Sequence, residues 1–189
     1  MSGDRRIPRG KRKNMKKLFA LVLALCLLCT AAIAEDASTM NWTDIEPTLA
    51  AQGLTGEFVV FDQLGLKVWL PEGLNAVEVS EADAAAGRLA LFTDAENTAY
   101  LAVDAMNVEG MTLDQYYENA KATEGLSDVE MVTVNDLNAV VYKSESANFW
   151  SASLVDTNSN IINFVMGPAS EDGSQIVFSV ILASLQPAE

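Results

Sequence analysis

The stretch Glu57-Phe58-Val59-Val60-Phe61-Asp62-Gln63-Leu64-Gly65-Leu66-Lys67-Val68-Trp69-Leu70-Pro71-Glu72-Gly73 decides the fold. Phe58 and Val60 point one way and Val59 and Phe61 the other, so the first run is apolar on both faces. Leu66, Val68 and Leu70 alternate with Lys67 and Trp69, the period of two that a strand imposes. Asp62-Gln63-Leu64-Gly65 reads as the turn between the runs, and Pro71-Glu72-Gly73 stops the second one. The expectation is a β-hairpin with material packed against both of its faces.

Upstream of the hairpin, residues 1–34 read as an address. Eight of the 12 Lys and Arg lie here: Arg5, Arg6, Arg9, Lys11, Arg12, Lys13, Lys16 and Lys17. The apolar run Leu18–Ile33 follows and closes on Ala32-Ile33-Ala34, a small-x-small ending. A basic n-region, an apolar h-region and that ending describe a secretory signal peptide of the Sec type, cut between Ala34 and Glu35. Its apolar run of 16 residues, broken by Cys26, Cys29 and Thr30, falls short of a spanning helix, which requires roughly 20; an uncleaved anchor is the competing reading. Met15-Lys16-Lys17 is itself an ordinary start, so residues 1–14 read as an upstream extension or a misassigned start. Ile7-Pro8 follows Arg5-Arg6, without the surroundings of a twin-arginine signal.

Both cysteines, Cys26 and Cys29, fall inside this segment, each preceded by leucine where a lipoprotein signal needs a small residue. The processed chain, 35–189, therefore carries no thiol and no disulfide framework. Its 155 residues divide into an N-terminal helical segment, 35–56, and one domain, 57–189. Four bases (Lys67, Arg88, Lys121, Lys143) face 25 Asp and Glu, a formal charge of −21 that the −14 of the whole chain conceals. Such a surface repels nucleic acid and anionic membrane. The acidity reads as solubility outside the cell; attraction of cations or of a basic partner is the functional alternative.

Around the hairpin, Thr43-x-x-Glu46 reads as a capping box that opens a short helix, with Pro47 in its first turn and Gly53 as its stop. Asn41-Trp42-Thr43 also spells a glycosylation sequon, which a bacterial-type signal leaves without meaning. Val77–Val79 reads as a strand and Ser80–Ala86 as a helical turn ended by Gly87. Leu89–Thr93 and Ala99–Val103 form a second hairpin across Asp94-Ala95-Glu96-Asn97. A second capping box, Thr112-x-x-Gln115, opens a helix whose inner face is Leu113, Tyr116, Tyr117 and Ala120. Asp114 and Glu118 lie on its solvated side. Strands follow at 128–134, 139–143, 149–156 and 161–166, separated by short Asx- and Ser-rich loops that favour an antiparallel meander. Gln175–Leu185 reads as a closing helix with Ser174 as N-cap and Pro187 as stop. The class is α+β, a mostly antiparallel sheet with helices packed on it.

The strand–turn–strand ending in Leu70-Pro71-Glu72-Gly73, the helix after Gly110-Met111-Thr112-Leu113 and the closing Ile181-Leu182-Ala183-Ser184-Leu185 together resemble the PsbP-like α/β/α sandwich. They resemble still more the small secreted, uncharacterised bacterial proteins that share its pattern. The likeness spans most of Phe58–Leu185. It implies a fold and brings no catalytic motif. Relatives of this kind carry an Asn-Gly turn where this chain has Asn135-Asp136-Leu137-Asn138.

The chain contains no histidine, and the processed part no cysteine, which excludes Ser-His-Asp and Cys-His nucleophiles and the usual zinc sites there. Neither a P-loop nor a dinucleotide-binding glycine pattern occurs. Asp156-x-Asn158-x-Asn160 resembles the first half of an EF-hand loop, but Ile161 stands where glycine is needed and Gly167 where the bidentate glutamate belongs. An Asx-rich hairpin turn explains it. Trp69, Tyr142 and Trp150 read either as core aromatics or as a platform for a sugar or apolar ligand. The expectation is an extracellular or cell-envelope domain without catalytic residue, cofactor or metal, binding an unknown protein or small ligand. It engages no nucleic acid and, after signal cleavage, no membrane. The alternative is a hydrolase that uses a carboxylate pair on extracellular glycans.

Overall fold

The computed structural model describes residues 38–108, 110–156, 160–171 and 173–188. The proposed signal peptide and its Ala34–Glu35 junction lie outside them. A short strand β1 (Ser38–Met40) leads into helix α1 (Trp42–Ala51), and the quoted stretch follows as β2 (Gly56–Phe61) and β3 (Leu66–Pro71). Next come β4 (Asn75–Val77), a short helix α2 (Glu81–Ala85), β5 (Arg88–Thr93) and β6 (Tyr100–Asn107). Helix α3 (Leu113–Ala122) precedes β7 (Leu126–Val134), β8 (Leu137–Ser144), β9 (Phe149–Val155) and β10 (Asn160–Gly167). Helix α4 (Ser174–Ala183) and β11 (Gln186–Pro187) follow.

The α+β class is the one observed, with mostly antiparallel sheets and helices packed against them. The large sheet has eight strands in the order β1-β7-β8-β9-β10-β6-β5-β4. Every pairing in it is antiparallel except β1 with β7. The meander from β7 to β10 follows directly from its short turns. Asn135 (φ 44°) and Asp136 (φ 69°) both take the left-handed conformation of a two-residue hairpin turn. Asx residues tolerate that conformation better than most, so Asn-Asp serves where Asn-Gly would be expected.

The quoted hairpin is not part of this sheet. It pairs with β11 to make a separate three-stranded sheet, β11-β3-β2, in register from Gly56 opposite Pro71 to Phe61 opposite Leu66. Its apolar character on both faces explains why. Phe61, Val68 and Leu70 join the main core with Leu101, Phe164 and Phe178. Trp69, on the opposite face, packs with Trp42, Ile45 and Leu49 of α1 and with Val180 and Ala183 of α4. Phe178 is 2% exposed, and a side chain so buried contributes about 1.5–3 kcal/mol. Helix α3 covers the far face of the large sheet, where Ala120, Val140 and Tyr142 cluster.

Several local expectations hold in detail. Thr112 and Gln115 form the reciprocal capping box, at 3.2 and 2.9 Å. The helical turn expected over Ser80–Ala86 forms as α2, where Ser80 serves as N-cap by accepting from the Asp83 N–H, a role beyond the sequence expectation. Others give way to tertiary structure. Helix α1 begins at Trp42, so Thr43 lies within it and Pro47 falls in the second turn rather than the first. The Trp42 N–H is satisfied instead by the Asn135 side chain, 93 residues away. Gly173 (φ 89°), not Ser174, is the N-cap of α4, and Ser174 Oγ donates to the Ala169 carbonyl. Pro187 does not merely stop a helix: it pairs with Leu66 as part of β11. The strand expected at Val77–Val79 lies at Asn75–Val77, because it takes its register from β5.

Candidate functional site

The three aromatic candidates are placed in three different layers. Trp69 is 8% exposed on the outer face of the small sheet, 5.6 Å from the Trp42 ring. Trp150 lies on the α4 side of the large sheet, stacked on Phe178 at 6.4 Å. Tyr142 lies under α3, edge-on to Phe149 at 6.5 Å. All are buried, and the fold does not bring them together into one platform.

Beneath α3 the large sheet carries a row of polar side chains. The Tyr116 and Tyr142 hydroxyls are 3.1 Å apart, and Ser153 Oγ lies 3.3 Å from Tyr116 and donates to Asn163 Oδ1 at 2.7 Å. One strand further, Asp104 stands opposite Asn163 and pairs with Arg88 on β5. Burial, with the neighbouring Tyr142 adding to it, raises the Tyr116 phenol well above its usual range. Ser153 is fully buried and Asn163 nearly so. The row satisfies itself, which suits a register-setting network better than a ligand site.

Among the described residues no acids gather around Asp156 either. Its carboxylate accepts from the Asn160 N–H at 2.8 Å and from the Asn160 amide at 2.9 Å, closing the β9–β10 turn. Asn158 lies outside the described residues. Among those described, no group of three or more Cys, Asp or Glu could hold a metal ion, and no helix is long and apolar enough to cross a membrane.

The concave feature sequence reasoning missed lies between the two sheets. Pro71-Glu72-Gly73-Leu74 carries the chain from the small sheet to the large one, and the groove beside this crossing measures about 660 Å³. Its floor is Val59, Leu70 and Phe92; its rim carries Glu57, Glu72 and Asn75. β2 is the last strand of the small sheet and β4 the last of the large one, and both line the groove, so it opens between two sheet edges. Gly56 starts β2 because a Cβ there would collide with the Leu70 carbonyl and the Trp69 indole. Both acids stand on the hairpin wall, Glu57 opposite Leu70 on β2 and Glu72 just past β3. The Glu72 carboxylate accepts from the Thr55 hydroxyl. None of Lys67, Arg88, Lys121 or Lys143 lines the groove.

No protein-family model matches the chain, and no curated protein does. The geometry must speak for itself. The signal that could have found the groove was the same two-faced hairpin: a strand apolar on both sides needs two layers, and two stacked sheets of unequal width leave an open side.

Proposed function

We propose that this chain is a secreted or envelope-associated, non-enzymatic binding domain whose ligand, a protein or a small molecule, occupies the groove between the β2 and β4 edges. One observation carries the reading: an apolar floor at Val59, Leu70 and Phe92 with a few polar groups at its rim is the composition of a binding cleft. The export expectation rests on the basic segment and apolar run of residues 1–34. The likeness to PsbP-like domains belongs to the same proposal and supplies no catalytic residue. A glycosidase-like pair would face its substrate from two sides, roughly 5–10 Å apart. Here Glu57 and Glu72 belong to one wall, and the facing residues Asn75, Ala76 and Phe92 include no acid, which supports binding over hydrolysis.

Ala76 is an exposed groove residue on β4, so Ala76→Trp fills the cleft without entering the core. Ligand captured by immobilised wild-type protein from the culture medium is expected to be lost in this variant, with its melting temperature unchanged. Retention of the ligand would defeat the groove as the site. Release of reducing sugar from a soluble glycan, abolished by Glu57→Gln or Glu72→Gln, would replace the binding domain with the hydrolase. Intact mass of the extracellular protein is expected to show an N-terminus at Glu35; a membrane-bound species retaining Leu18–Ile33 would overturn the export reading.

A further inference from the structure

Granting that the groove is the binding surface, we infer that its occupant is an extended, basic peptide segment of another protein, added to β2 as a further strand. β2 is six residues long and, among the described residues, pairs with β3 alone, in unbroken register. Its other side presents a row of main-chain donors and acceptors spaced for a second extended chain. Natural sheets blunt such an edge with lysine, proline or a bulge; Gly56-Glu57-Phe58-Val59-Val60-Phe61 has none of these. β4, the other edge, is three residues long and offers far less.

Side chains select the partner's chemistry. A strand beside β2 sends alternate side chains into the groove and the others over the outer face. On the groove side it meets Glu57 and Glu72 and no base among the described residues. On the outer side it meets Phe58, 38% exposed, and Val60, 50% exposed, with Lys67 set over the Phe58 ring at 5.6 Å. Basic side chains therefore suit the groove positions and apolar ones the outer positions. A second copy of this chain is the poorer occupant, because the processed form carries 25 acids against four bases and would bring like charge to the edge.

The test is a titration of the 15N-labelled processed protein with a nine-residue peptide alternating lysine and valine. Its controls are a glutamate–valine peptide and a lysine–valine peptide with a central proline. The expected result is amide shifts confined to β2 and the groove, weakened by salt, with the proline peptide at least about tenfold weaker. Val60→Lys, at an exposed site, is expected to weaken the lysine–valine peptide by about tenfold without lowering the melting temperature. Equal response to the proline peptide, or shifts scattered over the acidic surface, would reduce the effect to diffuse charge and overturn the proposal. Concentration-dependent self-association abolished by Val60→Lys would make a second copy the occupant and overturn it too. An oligosaccharide or apolar dye that shifts Val59, Leu74 and Phe92 where the peptide does not would sink the peptide but keep the groove. Ligand capture that survives Ala76→Trp would sink the groove itself.

Discussion

Removing the Asn135 side chain should loosen three parts of the molecule at once. Its Oδ1 accepts from the Trp42 N–H at 2.9 Å, and its Nδ2 donates to the Ala183 and Leu185 carbonyls at 2.8 Å each. The first bond supplies an N-terminal partner for α1; the other two hold the end of α4 and the approach to β11. These are ends that a helix cannot satisfy by itself. At about 0.5–1.5 kcal/mol per bond, with the partners left part-buried, the loss is about 2–4 kcal/mol. Asn135→Gly isolates this term, because glycine tolerates φ 44°. Asn135→Ala adds the left-handed penalty of about 1–2 kcal/mol. With a urea m-value of about 2 kcal/mol per molar, the glycine variant should lower the unfolding midpoint by about 1–2 M at unchanged m. Asp136→Gly serves as the control: Asp136 is exposed at φ 69°, so glycine there should leave stability equal or raise it by up to about 1 kcal/mol. An unfolding free energy for Asn135→Gly within about 0.5 kcal/mol of wild type would refute the claim that this side chain ties α1, α4 and the β7–β8 turn together.

Three further outcomes are expected. Ser184 is fully buried and its Oγ accepts from the Trp69 N–H at 2.8 Å, so Ser184→Ala should cost about 1–3 kcal/mol in chemical denaturation; an unchanged midpoint would mean that another acceptor takes over. Burial makes the folded Tyr116 phenol titrate higher than an ordinary tyrosine; its contribution is thus fully present below about pH 10 and lost as pH rises above it. Midpoints measured between pH 8 and 12 should fall less steeply for Tyr116→Phe than for wild type, and parallel curves would contradict this. The 25 acids and four bases of residues 35–189 should make the melting temperature rise with salt, equally in sodium and calcium chloride at matched ionic strength; a saturable rise with calcium alone would reveal a bound ion.

Local chemistry was readable wherever an element's partner lay close in sequence. Thr112 and Gln115 are three residues apart, and their box forms as read. Thr43 and Glu46 have the same spacing, yet the helix starts two residues earlier than a Thr43 cap would place it, with Asn41 as N-cap and the Trp42 N–H held by the Asn135 side chain. Alternation likewise told which residues of the hairpin share a face: Phe58 stands opposite Trp69, and Val59 opposite Val68. It was silent on what each face would meet. The same limit explains Trp69, Tyr142 and Trp150, which no periodicity could assign to separate layers.

By itself the sequence determined most of the strands and helices, though not β1 or β11, the side of each that is apolar, the excess of acids over bases, and the absence of histidine throughout and of cysteine in residues 35–189. These depend on residue type and on neighbours a few positions away. Only the tertiary structure decided that the quoted hairpin leaves the large sheet to stack on it with β11, that Asn135 joins two helix ends, and that the β2 and β4 edges open on one groove. A period of two or of 3.6 records which side chains point together. Which surfaces then meet is set by the volume and polarity of segments far apart in the chain, as with Trp69 and Ser184, 115 residues apart.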